Sequence, residues 1–240
     1  MAAEEEQRYV YVMISQTPTG FGKLIRRFGG MKYNHTSISF DRDMHQLYGF
    51  ARKVHRVPVV AGLVHEFPKR FSLNKVDNVP VIIYRIPVTV AQYRAGLKKL
   101  KEIQEDKEEY LYNLFSVITY PIFGGFKSYK AYTCSEFVVH LLETMNVPIN
   151  TKKPAHKITP EQMEDVLKDY EVVYDGNLLE YVSDPDVTSP VYFQPPRYFR
   201  DGVATVYTLG RLAYRARGNL SPMRATRYVK DKYEHYKKRR

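Results

Sequence analysis

The sequence predicts an α+β domain in which an antiparallel β-sheet, or a partial barrel, packs against helices. Two observations support this prediction. Segments with strand character, separated by short turns, fill most of the first 90 residues. Amphipathic segments with helix-capping residues follow them, so strands and helices are largely segregated along the chain.

The predicted strands are rich in β-branched and aromatic residues and begin or end near turn-forming residues. The segment NHTSISFD alternates small polar side chains with Thr, Ile and Phe, which is the period of a strand. The tight turn RDM follows it, and HQLYGFARKV is the returning strand of a hairpin. The strand segments are 9–15, 34–41, 45–54, 57–67, 78–88 and 171–176.

Helix starts are marked by capping residues. Thr89 and Gln92 form a capping box ahead of a long amphipathic stripe, and Thr159 and Gln162 form a second one in ITPEQMEDVLKDY. FGKLIRRFGG, at 21–30, is predicted to be a short helix that its two final glycines end. Within YKAYTCSEFVVHLLETM, at 129–145, the apolar residues recur with a helical period.

Charge and composition change after Gly176, so we predict one domain at 1–176 and an extension at 177–240. The extension begins with a Pro-rich linker or wrapping segment and continues as two basic helices, the second at 221–240. Residues 197–240 contain 13 Lys and Arg against 3 Asp and Glu, and the whole chain has a net charge of +11. The basic character therefore belongs to the extension.

Other features of the sequence predict a cytoplasmic protein without an intramolecular disulfide or a metal site. The N-terminus is acidic where a secretory signal is basic, and no apolar run is long enough to span a membrane. A single cysteine cannot form an intramolecular disulfide. The histidines at 45, 55 and 65 fit no metal-ligand spacing, so we predict no metal site.

The one cysteine, Cys134, lies in the first turn of its predicted helix. A thiol there faces unpaired backbone N–H groups and the positive end of the helix dipole, which favour the thiolate. The same N–H groups can hold the oxyanion of a tetrahedral intermediate. A buried core cysteine is the alternative, because Cys134 also shares the apolar face of Phe137, Val138 and Leu141.

A nucleophilic cysteine needs a base, and His35 is the candidate. It begins a strand on which Ser37 and Ser39 point to the same side. A row of His, Ser and Ser is unusual for a core and suits the wall of an active site.

The order of NHTSISFD before YTCSEFVVHLL resembles the circularly permuted branch of the NlpC-type papain-like cysteine hydrolases, where the histidine strand precedes the cysteine helix. Lecithin:retinol acyltransferase-like enzymes share this arrangement. ITPEQMEDVL is similar to the Thr-Pro-led helix of the family, and LYGFARK with AGLVHEF is similar to a feature of a bacterial subgroup. The resemblance spans about residues 9 to 175 and implies a permuted papain-like fold with the catalytic cysteine at a helix N-terminus.

The resemblance implies that Cys134 is the nucleophile and His35 the base, with no metal or organic cofactor. The family normally adds a third polar residue that orients the histidine. We predict Glu66 for this role, and a solvated strand end is the alternative for that residue. Three further side chains are predicted near the site or its oxyanion hole: Thr133, Ser37 and Tyr48.

The implied activity is hydrolysis of an amide or ester through an acyl-enzyme, on a small-molecule, lipid-like or peptide-like substrate. The alternatives are an acyltransferase of the same fold and a catalytically inactive binding module. The uncharged stretch 110–126 is predicted either to line an apolar groove or to pack behind the nucleophile. The basic tail is predicted either to contact an anionic surface or to be solvated, and no specific nucleic acid is expected.

Overall fold

A computed structural model describes residues 7–18 and 32–217. Within these ranges the chain is an α+β fold, as the sequence predicts, with helices packed against one eight-stranded sheet. The predicted helices at 21–30 and 221–240 lie outside the described residues.

The strand order of the sheet is β7-β6-β4-β3-β2-β1-β5-β8, so β1 lies inside the sheet between β2 and β5. Ser15, the last residue of β1, is opposite both His35 of β2 and Val81 of β5. The strands are β1 Gln7–Ser15, β2 His35–Ser39, β3 Leu47–Arg52, β4 Ala61–His65, β5 Pro80–Thr89, β6 Leu111–Tyr112, β7 Ala131–Tyr132 and β8 Glu171–Asn177.

The sheet is mixed, which corrects the prediction of a purely antiparallel one. Strands β6 and β7 pair in parallel, with Leu111 opposite Ala131 and Tyr112 opposite Tyr132. Parallel neighbours require the chain to cross over and return in the same direction, and residues 113–130 make that crossover. Both strands are only two residues long, too short to give a recognisable period in the sequence.

The predicted capping box on the long helix is confirmed. The Gln92 N–H donates to Thr89 Oγ1 at 3.2 Å, and the Thr89 N–H donates to Gln92 Oε1 at 2.9 Å. None of the described helices is long and apolar enough to cross a bilayer. The helices are α1 Pro68–Ser72, α2 Val90–Glu105, α3 Leu114–Ile118, α4 Tyr120–Phe123, α5 Cys134–Thr144, α6 Met163–Val166, α7 Leu178–Tyr181 and α8 Tyr198–Ala216, with a 3₁₀ turn at Ala155–Lys157.

The second predicted helix start gives a much shorter helix than expected. Thr159 and Gln162 exchange both contacts of a capping box, at 3.2 and 3.4 Å. However, the backbone there makes i to i+3 bonds, from the Gln162 N–H to the Thr159 carbonyl and from the Met163 N–H to the Pro160 carbonyl. A tight turn of this kind precedes the single α-helical turn of α6.

The two faces of the sheet are covered by different elements. Val10, Val12 and Ile14 of β1 point into a core shared with the buried face of α5. Tyr11 and Met13, on the alternate face, belong to a second core. The helix that begins at Cys134 is thereby packed across β2 and β3, which fixes where its first turn lies.

The predicted extension packs on the main domain as far as the structure describes it. Leu178 and Val182 are buried in the second core. Tyr192 is buried against Phe67, and Leu212 of α8 packs on the short strands β6 and β7. Residues 178–217 are therefore part of the folded unit.

Candidate active site

Cys134 is the first residue of α5, and its side chain is buried. The turn is fixed by a capping box in which Thr133 Oγ1 accepts from the Glu136 N–H at 3.2 Å. In return, Glu136 Oε2 accepts from the Thr133 N–H, also at 3.2 Å. The cap satisfies the open end of the helix without using the thiol, so Thr133 and Glu136 position Cys134 and do not contact it through these bonds.

His35 and Glu66 come from strands on the two sides of β3. His35 is the first residue of β2, and Glu66 directly follows β4. The Glu66 N–H donates to the Leu47 carbonyl at 2.8 Å, which extends the sheet pairing to this residue. Both side chains are buried.

The Glu66 carboxylate is the centre of a buried hydrogen-bond network. Its Oε1 accepts from His35 Nε2 at 2.9 Å and from Arg70 Nε at 3.2 Å. Its Oε2 accepts from the Ser37 hydroxyl, which also lies 3.2 Å from His35 Nε2. The carboxylate therefore fixes both the position and the tautomer of the imidazole.

The imidazole also hydrogen-bonds the thiol of Cys134. Glu66 and Ser37 both occupy Nε2, so Nδ1 is the ring nitrogen available to the sulfur. The structure thus places Cys134, His35 and Glu66 in one chain of contacts, which is the arrangement that a nucleophile, a base and an orienting acid would require.

The environment favours a thiolate–imidazolium pair. Burial lowers the pKa of His35, but the Glu66 charge and the hydrogen bonds to Cys134 and Glu66 outweigh it and raise that pKa to about 10. Burial raises the pKa of the Cys134 thiol, yet the hydrogen bond and charge of His35 bring it below its usual value. The backbone N–H groups of Thr36 and Ser135 also stabilise the thiolate.

Glu66 stays ionised despite its burial. Burial raises its pKa, but the charge of His35 and the hydrogen bond to it, followed by the charge of Arg70, lower the pKa below its usual value. Two cations thus face two anions in a largely buried cluster, and the formal charges cancel.

Gly49 leaves the space that this network occupies. A Cβ at this position would lie 2.6 Å from Glu66 Oε2 and 3.2 Å from Ser37 Oγ. The glycine is the residue of β3 that lies beside Ser37 of β2, in the register set by Ile38 opposite Tyr48. Any side chain there would displace the carboxylate.

Tyr112 is a site residue that the sequence analysis missed. Its buried hydroxyl hydrogen-bonds Cys134, and burial together with the charge of that thiolate raises its pKa well above the usual value. It reaches the thiol because β6 pairs in parallel with β7, which ends one residue before Thr133. In a chain with 21 tyrosines, no sequence signal distinguishes this one.

Arg70 was also missed, although its spacing was a usable signal. It lies four residues after Glu66, and α1 turns it back towards the carboxylate. An acid followed by a base at this spacing is a frequent helical pair. Its guanidinium carbon also lies 4.4 Å from the centroid of the Tyr192 ring.

Tyr48 does not belong to the site. It is opposite Ile38, so the two side chains share one face of the sheet, whereas His35 and Ser37 point to the other. Tyr48 packs against the core that includes Phe50 and α5, and its ring lies 5.2 Å from that of His65. The structure therefore does not bring Tyr48 to the cavity, because Tyr48 lies two residues along β3 from Phe50, the residue of the same face that lines it.

A cavity of about 230 Å³ opens beside His35 and Glu66. It reaches His35 and Tyr112, the two residues whose side chains hydrogen-bond the thiol. Phe50, Leu114 and Ile118 contribute apolar walls. The uncharged 110–126 stretch therefore lines the cavity with part of its length.

The polar side of the cavity holds two guanidinium groups, from Arg52 and Arg70. Arg52 donates to the Tyr192 hydroxyl at 3.2 Å and to the His55 carbonyl at 2.9 Å. Tyr192, from the C-terminal extension, therefore contacts both arginines and helps to hold them.

Among residues 7–18 and 32–217, no group of three or more His, Cys, Asp and Glu side chains is arranged to hold a metal ion. Comparisons with protein-family models, curated proteins and solved structures found no match. The chemistry of the site is therefore argued from its geometry.

We expect Gly49→Ala to raise the pKa of the Cys134 thiol, because the new methyl group displaces the Glu66 carboxylate that supports His35. For each unit by which that pKa rises, the thiolate fraction below neutral pH falls about tenfold. The alkylation rate of the single cysteine by iodoacetamide at about pH 6 measures the change. Gly202→Ala, where a Cβ meets nothing within 4 Å, is the matched control. Equal rates in the two variants contradict the prediction.

Glu136 gives a second prediction, on stability. Burial raises its pKa to about 8 from the ordinary 4.5, against a smaller opposite effect of the Thr133 N–H. The folded state therefore binds more protons than the unfolded state between these values, and the free energy of unfolding falls as pH rises through them. Glu136→Gln keeps the capping acceptor but has no group that must lose a proton as the pH rises. At about 1.4 kcal/mol per pKa unit, the free energy of unfolding of the variant relative to wild type should therefore increase by a few kcal/mol from the lower pH to the higher one. Urea unfolding at about pH 5 and about pH 8.5 measures this, and a pH-independent difference refutes it.

Proposed function

We propose that the protein is a cysteine hydrolase that cleaves an amide or ester bond through an acyl-enzyme. The observation that supports this most strongly is the buried chain from Cys134 through His35 to Glu66. A structural cysteine needs neither a base nor a lowered pKa, and this thiol has both.

In the first half of the reaction, the Cys134 thiolate attacks the acyl carbon and forms a tetrahedral intermediate. The His35 imidazolium then gives its proton to the leaving nitrogen or oxygen, and the bond between that atom and the acyl carbon breaks. The product is a thioester on Cys134 with a neutral imidazole beside it.

In the second half, a water molecule gives a proton to His35 while its oxygen attacks the thioester carbon. The carbon–sulfur bond breaks, the acid leaves, and the thiolate–imidazolium pair is restored. Glu66 keeps the imidazole in place through both halves and stabilises its charged form.

Two donors can hold the oxyanion. The N–H of Cys134 lies in the first turn of α5, where no helical carbonyl accepts from it. The hydroxyl of Tyr112 already donates towards the sulfur, so it is close to the carbon that the sulfur attacks.

The resemblance to the permuted papain-like hydrolases agrees with this assignment. The base comes from a strand that precedes the nucleophile helix, and that helix packs across the sheet that carries the base. Glu66 occupies the position of the third polar residue.

The cavity suggests the class of acyl group. Leu114 and Ile118 form apolar walls that can pack against an aliphatic or aromatic acyl chain. Arg52 and Arg70 can bind an acidic group carried by that chain. A pair of p-nitrophenyl esters of equal chain length, one neutral and one with a terminal carboxylate, separates these contributions.

The test is hydrolysis of such esters and of the matching anilides. We expect turnover by the wild type, none by Cys134→Ala, and a fall in kcat of about 10²–10⁴-fold in His35→Ala, the range of general acid–base catalysis. Tyr112→Phe should lower kcat by about 10–10³-fold with little change in KM, as expected for an oxyanion donor.

Tyr48→Phe is the matched control for Tyr112→Phe, because Tyr48 packs against the same core but does not line the cavity. It should keep wild-type turnover. If the wild type hydrolyses none of the substrates and Cys134 alkylates no faster than a thiol in a peptide, the protein is a non-catalytic binding module instead.

A further inference from the structure

Helix α8 presents an apolar face to solvent. Five large side chains on it keep between 56% and 88% of their surface exposed: Phe199, Val203, Val206, Tyr207 and Tyr214. Single exposed apolar residues are ordinary, but a contiguous row of this size on one helix marks an interaction surface.

The spacing of these residues places them together. They recur at intervals of three, four and seven along a helix of 19 residues, so they share one side of it. The opposite side is buried through Thr208, Leu212 and Ala216. A Cβ added at Gly202 or Gly210 would meet nothing within 4 Å, so the exposed side is open.

The orientation of the helix is fixed by contacts on its inner side. Leu212 packs with Leu111 and Ala131. Arg215 donates to the Lys130 carbonyl at 2.7 Å, and Arg211 pairs with the Glu109 carboxylate at 2.9 Å. The apolar row therefore faces outward as a consequence of these contacts.

The positive charge of the extension favours an anionic partner for this face. From residue 197 onward the chain has 13 Lys and Arg against 3 Asp and Glu. A second copy docked through the same face would bring two strongly basic segments together, which is unfavourable. An anionic bilayer offers both a boundary for apolar side chains and charges of the opposite sign.

We propose that the outward face of α8 docks on an anionic lipid bilayer. Phe199, Val203 and Val206 enter the boundary between headgroups and acyl chains, and the exposed arginines at and beside α8 contact the lipid phosphates and carboxylates: Arg197, Arg200 and Arg217. This inference does not depend on the hydrolase activity, since it rests on the exposed face and the charge alone.

Docking would also bring the cavity close to the lipid. Helix α3 packs against α8 and carries Leu114 and Ile118, which line the cavity. Ile118 is itself more than half exposed. A bilayer beneath α8 would therefore lie near the apolar wall of the candidate active site.

The chain contains no tryptophan, so one introduced tryptophan reports on a single position. Phe199→Trp in the full chain should show a blue-shifted emission on addition of vesicles that contain phosphatidylserine, and little change with phosphatidylcholine alone. Val172→Trp is the control, because Val172 is half exposed on β8, the strand at the other edge of the sheet from β7.

Co-sedimentation with the same vesicles gives the second measurement. Because burial of each side chain contributes independently, the double variant Val203→Ser and Val206→Ser should bind roughly tenfold or more weakly. Val172→Ser should bind like the wild type, and added salt should weaken binding of all of them. Far-ultraviolet circular dichroism verifies that the variants are folded.

Three results overturn the proposal. The first is an unshifted emission of Phe199→Trp with phosphatidylserine vesicles. The second is a blue shift of the Phe199→Trp emission that appears without vesicles as the protein concentration rises, which would show that a second copy of the chain covers the face. The third is a shift with nucleic acid but not with lipid.

Discussion

The buried carboxylate of Glu66 is the constraint on which the rest of the site depends. It accepts from His35, Ser37 and Arg70 at once, in a space that Gly49 leaves open. An ionised carboxylate in this position would be very unfavourable without such partners. Because it is paired, the carboxylate remains charged and raises the pKa of His35. The charged imidazole in turn lowers the pKa of the Cys134 thiol.

The fold supplies this network from several distant parts of the chain. Strands β2 and β4 flank β3, and the Glu66 side chain crosses over Gly49 of β3 to reach Ser37 and His35. The packing of α5 brings its first helical turn to the same point. The parallel pair of β6 and β7 adds the hydroxyl of Tyr112. Even the C-terminal extension contributes, since Tyr192 lies on Arg70. The free energy that orders the core therefore also holds the groups of the candidate site in place.

The sequence predicted the features that have a local signature. Strand alternation located His35 with Ser37, and the helical period of the apolar residues located the helix that begins at Cys134. It could not reveal contacts made by pairing across the sheet. A two-residue strand such as β6 shows no alternation in the sequence, so nothing identified Tyr112 as a residue of the site. Nor could the sequence show that Phe50 lines the cavity while Tyr48, two residues earlier on the same face of β3, does not. The helix predicted after Thr159 shortened to a tight turn because its backbone bonds span i to i+3.

The central claim is that Glu66, acting through His35, holds Cys134 as a thiolate. The chain has one cysteine, so the ultraviolet absorbance of the thiolate, titrated against a Cys134→Ser reference, reports on that residue alone. The account predicts an apparent pKa below the ordinary value of about 8.5 in the wild type, and a higher one in Glu66→Gln. A wild-type thiol that titrates at or above the ordinary value, unaffected by Glu66→Gln, would contradict it.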